Sequence, residues 1–363
     1  MNRRDFLASA AGVAALGALP RGAFAAAEFA PRPGDWRTFV VTTTLDIRKE
    51  SGPVTAWVPL PSIAAADWMA PEGDQWRGNA DAAEVVTDAA TGARMIRAEY
   101  SAGTAAPTLT VISTFRTRDR GEVLSRTDAP PLAAPARARY LAATELLPTD
   151  GIVRETAERV TAGAATDREK AAALYDWVVE NTHRVAEVRG CGLGDVASML
   201  ESGYLGGKCA DINALYVALA RASGVPARDV YGIRVAPSAF GYKSLGAGGE
   251  TVTKAQHCRA EVWLEGAGWV PVDPADVRKV ALEEPPGDNA LDSAKVAAAR
   301  AALFGAWEGN WMAYNDAHDL VLPGSEHRVA FLMYPQAEVA GALLDCLDAP
   351  NFAYAIKAAP ITT

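Results

Sequence analysis

One segment, residues 206–226, constrains the fold of this chain more than any other. Gly206-Gly207 lets the backbone turn sharply and approach closely. Ser223-Gly224 then ends the following run, and Pro226 prevents its continuation. Between these signals, apolar residues recur at helical spacing: Ile212, Leu215, Tyr216 and Leu219. The pattern predicts a core-packed helix with Cys209 in its first turn.

Cys209 therefore occupies a position that suits a nucleophile. At a helix N-terminus, the macrodipole and the unpaired N–H groups stabilise a thiolate and lower its pKa. The same N–H groups can form part of an oxyanion hole. Taken alone, Cys209 could equally be a buried core thiol, so its function depends on the partners found elsewhere in the chain.

His257 and Asp273 supply those partners on two consecutive predicted strands. HCRAEVWL and GWVPVDP flank Gly266-Ala267-Gly268, which predicts a short hairpin turn. Hairpin pairing brings Asp273 towards the start of the strand that His257 opens. We therefore predict a catalytic triad in the order nucleophile, base and orienter, formed by Cys209, His257 and Asp273.

Two neighbours of His257 need separate interpretation. Strand alternation puts Cys258 on the face opposite His257, which predicts a core thiol rather than a second catalytic group. Arg259 falls on the same face as His257. It could bind a substrate carboxylate, but we expect a solvated surface arginine.

The remaining cysteines and histidines carry weaker signals. Cys191, Cys209, His257 and Cys258 could in principle bind zinc, but their spacing fits no usual zinc motif. In an oxidising compartment the four cysteines, 191, 209, 258 and 346, could form disulfides, although a nucleophilic Cys209 must stay free. We assign no catalytic role to His183, His318 or His327.

The N-terminus is typical of an export signal. Residues 1–25 combine Arg3-Arg4, a short Ala/Gly-rich apolar run and an A-x-A cleavage site at Ala23-Phe24-Ala25. The arginine pair before Phe6-Leu7 predicts a twin-arginine signal, hence the twin-arginine export machinery as a partner and a periplasmic destination. We predict no stable membrane anchor, because no later stretch is long and apolar enough to span a bilayer.

The rest of the chain divides into three predicted regions. Residues 26–128 contain alternating strand patterns, for example at 39–47 and 108–116, and predict a β-sandwich-like accessory domain. Residues 129–300 hold the catalytic motifs and a capping box at 166–169 that predicts a helix ending near residue 182. Residues 301–363 predict further strands packing on this core, and 237–256 a mobile loop, either a lid or a surface insertion.

Charge and motifs exclude several functions. The formal net charge is −9, so bulk charge does not favour nucleic acid or anionic lipid as a partner. No calcium-binding loop of the D-x-[DN]-x-[DN]-G type occurs, and we predict no metal or other cofactor. The sequence does not indicate an oligomeric state.

The two motif blocks resemble those of the transglutaminase-like superfamily of papain-fold cysteine enzymes. GGKCADINALYVALARASGVPAR resembles the nucleophile helix of that family, and HCRAEVWLEGAGWVPVDPA resembles its His and Asp blocks. The match covers about a third of the chain, roughly residues 165–280. There are two departures: Cys258-Arg259 replaces the usual Ala-Trp, and Cys209 and His257 lie 48 residues apart, a long interval.

The resemblance implies an α+β fold with a papain-like core, in which the Cys209 helix packs on an antiparallel sheet carrying His257 and Asp273. It also implies a cysteine-dependent acyl-transfer enzyme acting on amide bonds of a protein or peptide substrate. We favour a protease or amidase, since water is the default acceptor. A protein-glutamine transglutaminase and a catalytically idle exported binding module on the same fold stay open as alternatives.

Overall fold

The computed structural model describes residues 29–48 and 51–361, so the predicted signal peptide at residues 1–25 lies outside the described residues. The described strands are β1 (Arg37–Ile47), β2 (Val54–Pro59), β3 (Met69–Gly78), β4 (Ala82–Thr87), β5 (Arg94–Tyr100), β6 (Thr108–Thr117), β7 (His183–Arg184), β8 (Gly206–Gly207), β9 (Ala227–Arg234), β10 (Gln256–Leu264), β11 (Gly268–Val272), β12 (Trp311–Asn315), β13 (His318–Val321), β14 (Arg328–Phe331), β15 (Gln336–Val339), β16 (Ala342–Leu343) and β17 (Phe352–Ile361). The described helices are α1 (Ala134–Leu141), α2 (Gly151–Val160), α3 (Asp167–Asn181), α4 (Val196–Ser202), α5 (Cys209–Ala222), α6 (Pro274–Glu283) and α7 (Ala294–Ala302). Within this part of the chain, no helix has both the length and the apolar character needed to cross a bilayer.

The predicted α+β class is confirmed. An antiparallel sheet of order β11-β10-β9-β12 forms the platform, and α5 packs against β9 and β10. The predicted hairpin is present, with Ala260 opposite Val272 and Leu264 opposite Gly268. These elements fix the Cys209 helix and the His257 strand against each other.

Helix α5 is buried on all its sides rather than along one stripe. Every residue from Cys209 to Arg221 is buried. The reason is the packing of α2, α3 and α6 around the helix, in addition to the sheet. A helix buried on every side belongs to the interior of a protein, so the Cys209 end of α5 has little freedom to shift.

Helix α3 begins as its capping box predicts. The Thr166 side chain accepts a hydrogen bond from the Glu169 amide, at 3.2 Å, and the Glu169 carboxylate accepts one from the Thr166 amide, at 2.9 Å. The two bonds satisfy donors that a helix start leaves unpaired. The helix runs to Asn181, close to the predicted end near residue 182.

The remaining large sheets draw strands from both ends of the described chain. One sheet has the order β17-β1-β6-β3 and the other β16-β15-β2-β5-β4. The strands β15, β16 and β17 thus extend sheets that β1 and β2 belong to. Sequence reasoning did not identify β3, β4 and β5, because that stretch is rich in Gly, Ala and Asp and alternates weakly.

The segment before β10 is packed, which corrects the expectation of a mobile loop. Tyr242, Leu245 and Val252 are buried in the main core. The Ser244 hydroxyl donates to Glu284 Oε2 over 2.8 Å, and the Ser244 amide donates to the same oxygen over 2.9 Å. Buried side chains at irregular spacing left no periodic signal in the sequence, so the loop looked unanchored.

Candidate active site

The structure brings Cys209, His257 and Asp273 into one buried site. Cys209 is the first residue of α5, His257 lies on β10, and Asp273 immediately follows β11. His257 Nε2 and Asp273 Oδ2 are 2.7 Å apart and form a hydrogen bond. All three residues are buried, with relative exposures of 3% or less. The predicted pairing of His257 with Asp273 is therefore present.

Cys209 and His257 lie on the wall of a cleft of about 590 Å³. The segment 246–256 forms part of another wall, together with the aromatic side chains of Tyr334, Phe352 and Tyr354. Asp273 lies behind His257, away from the cleft lining. A ligand in the cleft would thus meet the thiol and the imidazole but not the carboxylate.

A buried carboxylate fixes the start of α5. Asp211 accepts three backbone hydrogen bonds of 2.9 Å, from the amides of Leu193, Gly194 and Lys208. Gly192 has φ +92°, and a Cβ there would lie 1.8 Å from Asp211 Oδ2, so only glycine fits. Asp211 therefore ties the glycine-rich loop at 190–194 to the nucleophile helix.

The same loop brings a second thiol to the site. The Ala210 amide donates to the Cys191 carbonyl oxygen over 2.9 Å, which holds Cys191 beside the helix start. In the described part of the chain, no acceptor lies within hydrogen-bonding reach of the Cys209 N–H. That amide is therefore available to donate to an oxyanion formed beside Cys209.

Cys258 is buried as predicted, but it also contacts the candidate nucleophile. Its Sγ lies 3.7 Å from Cys209 Sγ, because α5 packs on the face of β10 that Cys258 occupies. Hydrogen bonds from Cys191 and Cys258, together with His257, lower the pKa of Cys209 well below its ordinary value, although burial opposes this. All four cysteines are free thiols.

Asp276 is a functional-site residue that sequence reasoning missed. Its Oδ1 lies 3.2 Å from His257 Nε2 and 2.6 Å from Arg234 Nη2, and all three side chains are buried. Burial favours neutral imidazole, but the charges of Asp276 and Asp273 outweigh it and raise the pKa of His257 to about 9. Burial and the Asp276 charge raise the pKa of Asp273.

A local signal for Asp276 exists in the sequence. Asp273 is the N-cap of α6, Pro274 is its first residue, and the Asp273 side chain accepts a hydrogen bond from the Asp276 amide over 3.0 Å. An N-cap aspartate, then proline, then an acidic residue three positions on is typical of a helix start. Recognising α6 would have placed Asp276 beside Asp273.

Asn213 links the nucleophile helix to the carboxylate. It lies one turn after Cys209 and donates through Nδ2 to Asp273 Oδ1 over 3.3 Å and to the Cys258 carbonyl over 2.9 Å. Its Oδ1 accepts from the Ala275 amide over 3.3 Å. This fully buried amide holds α5, β10 and the start of α6 in one arrangement.

Arg259 corrects the expectation of a solvated surface arginine. Its side chain is 2% exposed and lies against the rings of Trp307 and Trp311, 5.0 and 4.7 Å from their centroids. Its Nε is 3.7 Å from Asp273 Oδ2. Arg259 therefore places a buried positive charge beside the Asp273 carboxylate. His183, His318 and His327 are not among the residues lining the cleft.

Comparison of the sequence with known proteins gives the family of this chain. The sequence pattern of the transglutaminase-like superfamily matches residues 154–274. An uncharacterized protein of Haemophilus influenzae is 36% identical over 339 residues, which cover 88% of this chain and 90% of that protein. The chain belongs to the transglutaminase-like superfamily.

Solved structures add a likeness of fold. A candidate cysteine protease from Cytophaga hutchinsonii matches with a TM-score of 0.50 and 14% identity, over 90% of this chain and 99% of that one. The periplasmic domain of TgpA from Pseudomonas aeruginosa matches with a TM-score of 0.33 and 17% identity, over 68% of this chain and 88% of that one. At 14% identity, the likeness to the Cytophaga hutchinsonii protein shows a shared fold alone.

Proposed function

We propose that this protein is a cysteine-dependent hydrolase of peptide or amide bonds, with Cys209 as nucleophile, His257 as general acid and base, and Asp273 as orienter. The observation that carries the proposal is the buried 2.7 Å contact between His257 Nε2 and Asp273 Oδ2, beside a cysteine at a helix N-terminus. The family and the fold support this class of chemistry.

The reaction begins with acylation of the enzyme. The Cys209 thiolate attacks the amide carbonyl carbon and forms the C–S bond, while the negative charge moves onto the carbonyl oxygen. The Cys209 N–H at the start of α5 then donates to that oxyanion. As the C–N bond breaks, the His257 imidazolium gives its proton to the leaving amine.

Deacylation returns the enzyme to its starting state. Neutral His257 takes a proton from water, and the hydroxyl attacks the thioester carbon. The C–S bond breaks, releasing a carboxylic acid and restoring the thiolate–imidazolium pair. In the resting enzyme Asp276 and Asp273 favour the imidazolium, because their charges raise the pKa of His257 to about 9.

Export is the second part of the proposal. The Arg3-Arg4 signal and the A-x-A site at 23–25 support transport through the twin-arginine machinery and action in the periplasm on a protein or peptide. A fusion of residues 1–30 to a reporter tests this part. The reporter should reach the periplasm, and Arg3→Lys with Arg4→Lys should retain it in the cytoplasm.

The first test measures the pH dependence of Cys209 alkylation by iodoacetamide, followed by mass spectrometry. A lowered thiol pKa predicts fast labelling near pH 6. His257→Ala should slow labelling at that pH, whereas His327→Ala, at a partly exposed histidine outside the cleft lining, should not. Slow labelling that is equal in all three proteins would contradict the proposed function.

A second measurement distinguishes hydrolysis from cross-linking. Cleavage of a mixed peptide substrate is followed with and without a fluorescent primary amine as competing acceptor. New free carboxyl termini without amine incorporation support the hydrolase, since water is then the acceptor. Dominant amine incorporation would make the protein a transglutaminase.

A further inference from the structure

Basic side chains crowd the active-site cleft, although the chain as a whole is acidic. The formal net charge is −9. Among the described residues that line the cleft, none is Asp or Glu. Six lining residues are cationic: Arg184, Arg189, Lys208, Arg234, Lys254 and Lys279. The cleft lining is therefore positively charged although the chain as a whole is negatively charged, and this difference needs its own explanation.

Cationic side chains accompany both the thiol and the imidazole in the lining of the cleft. Lys208 directly precedes Cys209 in the chain. Arg184 is near the same end of α5, because β7 pairs with β8 and sets Arg184 opposite Gly207. Lys254 precedes His257 by three residues and also lines the cleft. A substrate amide placed between Cys209 and His257 would therefore have a cation close to each of these two residues in the chain.

The protein's own carboxylates neutralise only part of this charge. Glu283 pairs with both Arg184 and Lys279, the latter at 3.8 Å. Asp276 pairs with Arg234 and Asp345 with Arg189, each at 2.6 Å.

Two cations of the cleft have no such partner. Among the described residues, no carboxylate oxygen lies within 4.0 Å of the Lys208 or Lys254 ammonium. Lys254 is exposed, and Lys208 is half-buried.

Neighbouring cations act on Lys279 in the cleft. Burial, followed by the charge of Arg234, lowers the pKa of the Lys279 ammonium, and Arg184 acts in the same direction. A cleft lined by one sign of charge concentrates ions of the opposite sign and speeds their association. An incoming carboxylate would be the missing counterion of Lys208 or Lys254.

We infer that the cleft selects acidic peptides, with carboxylate side chains on both sides of the scissile amide. This inference rests on the proposed function, since it names the substrate class of the same site. Lys208 and Arg184 would receive the carboxylate on the thiol side, and Lys254 the one on the imidazole side. Lys208 and Lys254 are then specificity residues rather than catalytic ones.

A pair of alkylating reagents tests the field without a known substrate. Iodoacetate is an anion and iodoacetamide is neutral, so the iodoacetate rate divided by the iodoacetamide rate at Cys209 depends on the local electrostatic potential. Dividing this ratio by the same ratio for a free thiol peptide removes the intrinsic difference between the two reagents. At low ionic strength we expect this normalised ratio to be raised roughly tenfold, the low end of electrostatic focusing. It should fall towards one in 0.5 M NaCl, since salt screens the charges.

Matched variants locate the effect. Lys208→Gln and Lys254→Gln should each lower the ratio, and the double variant should lower it further. Arg154→Gln removes an exposed cation of α2 outside the cleft lining and should leave the ratio unchanged. A ratio near one in the wild-type protein, with fast iodoacetamide labelling, would refute the inference and leave the proposed function standing.

A binding measurement keeps the inference testable without any labelling. Cys209→Ala protein is titrated with fluorescent peptides of sequence Ala-Glu-Ala-Glu-Ala, with Gln or Lys in place of Glu. We expect the Glu peptide to bind at least tenfold more tightly than the Gln peptide, and Lys254→Gln to remove most of the difference. Equal affinities for the Glu and Gln peptides would overturn the inference. If iodoacetamide labelling is slow and unaffected by His257→Ala, the proposed function fails instead.

Discussion

The sheet of the candidate active site, β11-β10-β9-β12, and the sheets built from the two ends of the described chain bury different kinds of side chain. Around β9 and β10 the protein buries charged residues, among them Arg234, Arg259, Glu261, Asp273 and Asp276. Between the two outer sheets the core is apolar, with Leu45, Val58, Ile96, Val111 and Phe352 among its residues. Burying charge costs free energy unless every charge has a partner. The comparison indicates that buried ionisable groups concentrate around the candidate active site, whereas the outer sheets are held together by apolar packing.

The largest expected effect is on activity, at the nucleophile. Cys209→Ala should lower kcat/KM by roughly 10⁴-fold or more, as removal of a catalytic nucleophile does. The urea midpoint should change little, because alanine fits the first turn of α5. Peptide cleavage assays and urea unfolding check the two parts. Full activity in this variant would mean that the chemistry lies elsewhere.

The next effect is on stability, at the buried charge cluster of the catalytic region. Glu261 is fully buried and accepts from Arg120 Nη1 and, at 2.6 Å, from Arg228 Nη2. Glu261→Gln should lower the free energy of unfolding by about 3–5 kcal/mol, because it breaks a buried ion pair and leaves Arg120 without its carboxylate partner, whereas Arg228 keeps Asp316 at 2.9 Å. Glu265→Gln, in the exposed hairpin turn, is the control and should have almost no effect. Urea unfolding followed by circular dichroism measures both.

A comparable loss of stability in the outer sheets should leave the site intact. Leu45→Ala removes a fully buried side chain from the apolar core and should cost about 2–5 kcal/mol. At 25 °C, under conditions where the variant is still folded, the rate of Cys209 alkylation should equal that of the wild type. A slower alkylation rate in the folded variant would show that the two regions are coupled.

Asp276→Asn should change the pH dependence of activity. Asp276 helps to hold the pKa of His257 at about 9, so activity that needs the imidazolium should persist from neutral pH and fall as pH rises through about 9. Removing the Asp276 charge lowers the pKa of His257, so the fall should move to lower pH by roughly 1–3 pH units, the usual influence of one nearby opposite charge. The kcat/KM profile measures it. If the fall in kcat/KM at high pH does not move, Asp276 pairs with Arg234 without affecting the pKa of His257.

The smallest effect is expected at the neighbouring thiol. Cys258→Ala removes one hydrogen bond to the Cys209 thiolate, where the two sulfur atoms lie 3.7 Å apart. The pKa of Cys209 should rise by less than about one pH unit, since a single sulfur donor is weak. The pH dependence of iodoacetamide labelling measures it. Cys346→Ala, at the thiol with no contact to Cys209, should leave that dependence unchanged.

The local patterns of the sequence predicted the site better than its surroundings. The helix at Cys209, the capping box at Thr166 and the hairpin of His257 and Asp273 all depend on neighbours within a few residues, and each is present. The class of fold followed from the family resemblance of the motif blocks that contain Cys209, His257 and Asp273. The nucleophilic and catalytic roles themselves stay predictions until they are tested.

The surroundings depend on contacts between residues far apart in sequence. Arg234 and Asp276 are 42 residues apart, and nothing near Arg234 indicates that it is buried against a carboxylate. The burial of Arg259 depends on Trp307 and Trp311, which come from a later part of the chain. Alternation could place Arg259 on a face but could not show what covers that face.

The pairing of β1 with β17 also bears on the order in which the protein can fold. Thr38 lies opposite Ile361 and Ile47 opposite Phe352, so almost the whole chain separates the paired strands. During synthesis β1 leaves the ribosome early, and the edge of β1 that pairs with β17 stays unpaired until synthesis is nearly finished. Such long-range pairing slows folding, because the entropy of closing the loop is lost before the contacts form. During that interval the open edge of β1 is a surface on which chaperones and other nascent chains can compete.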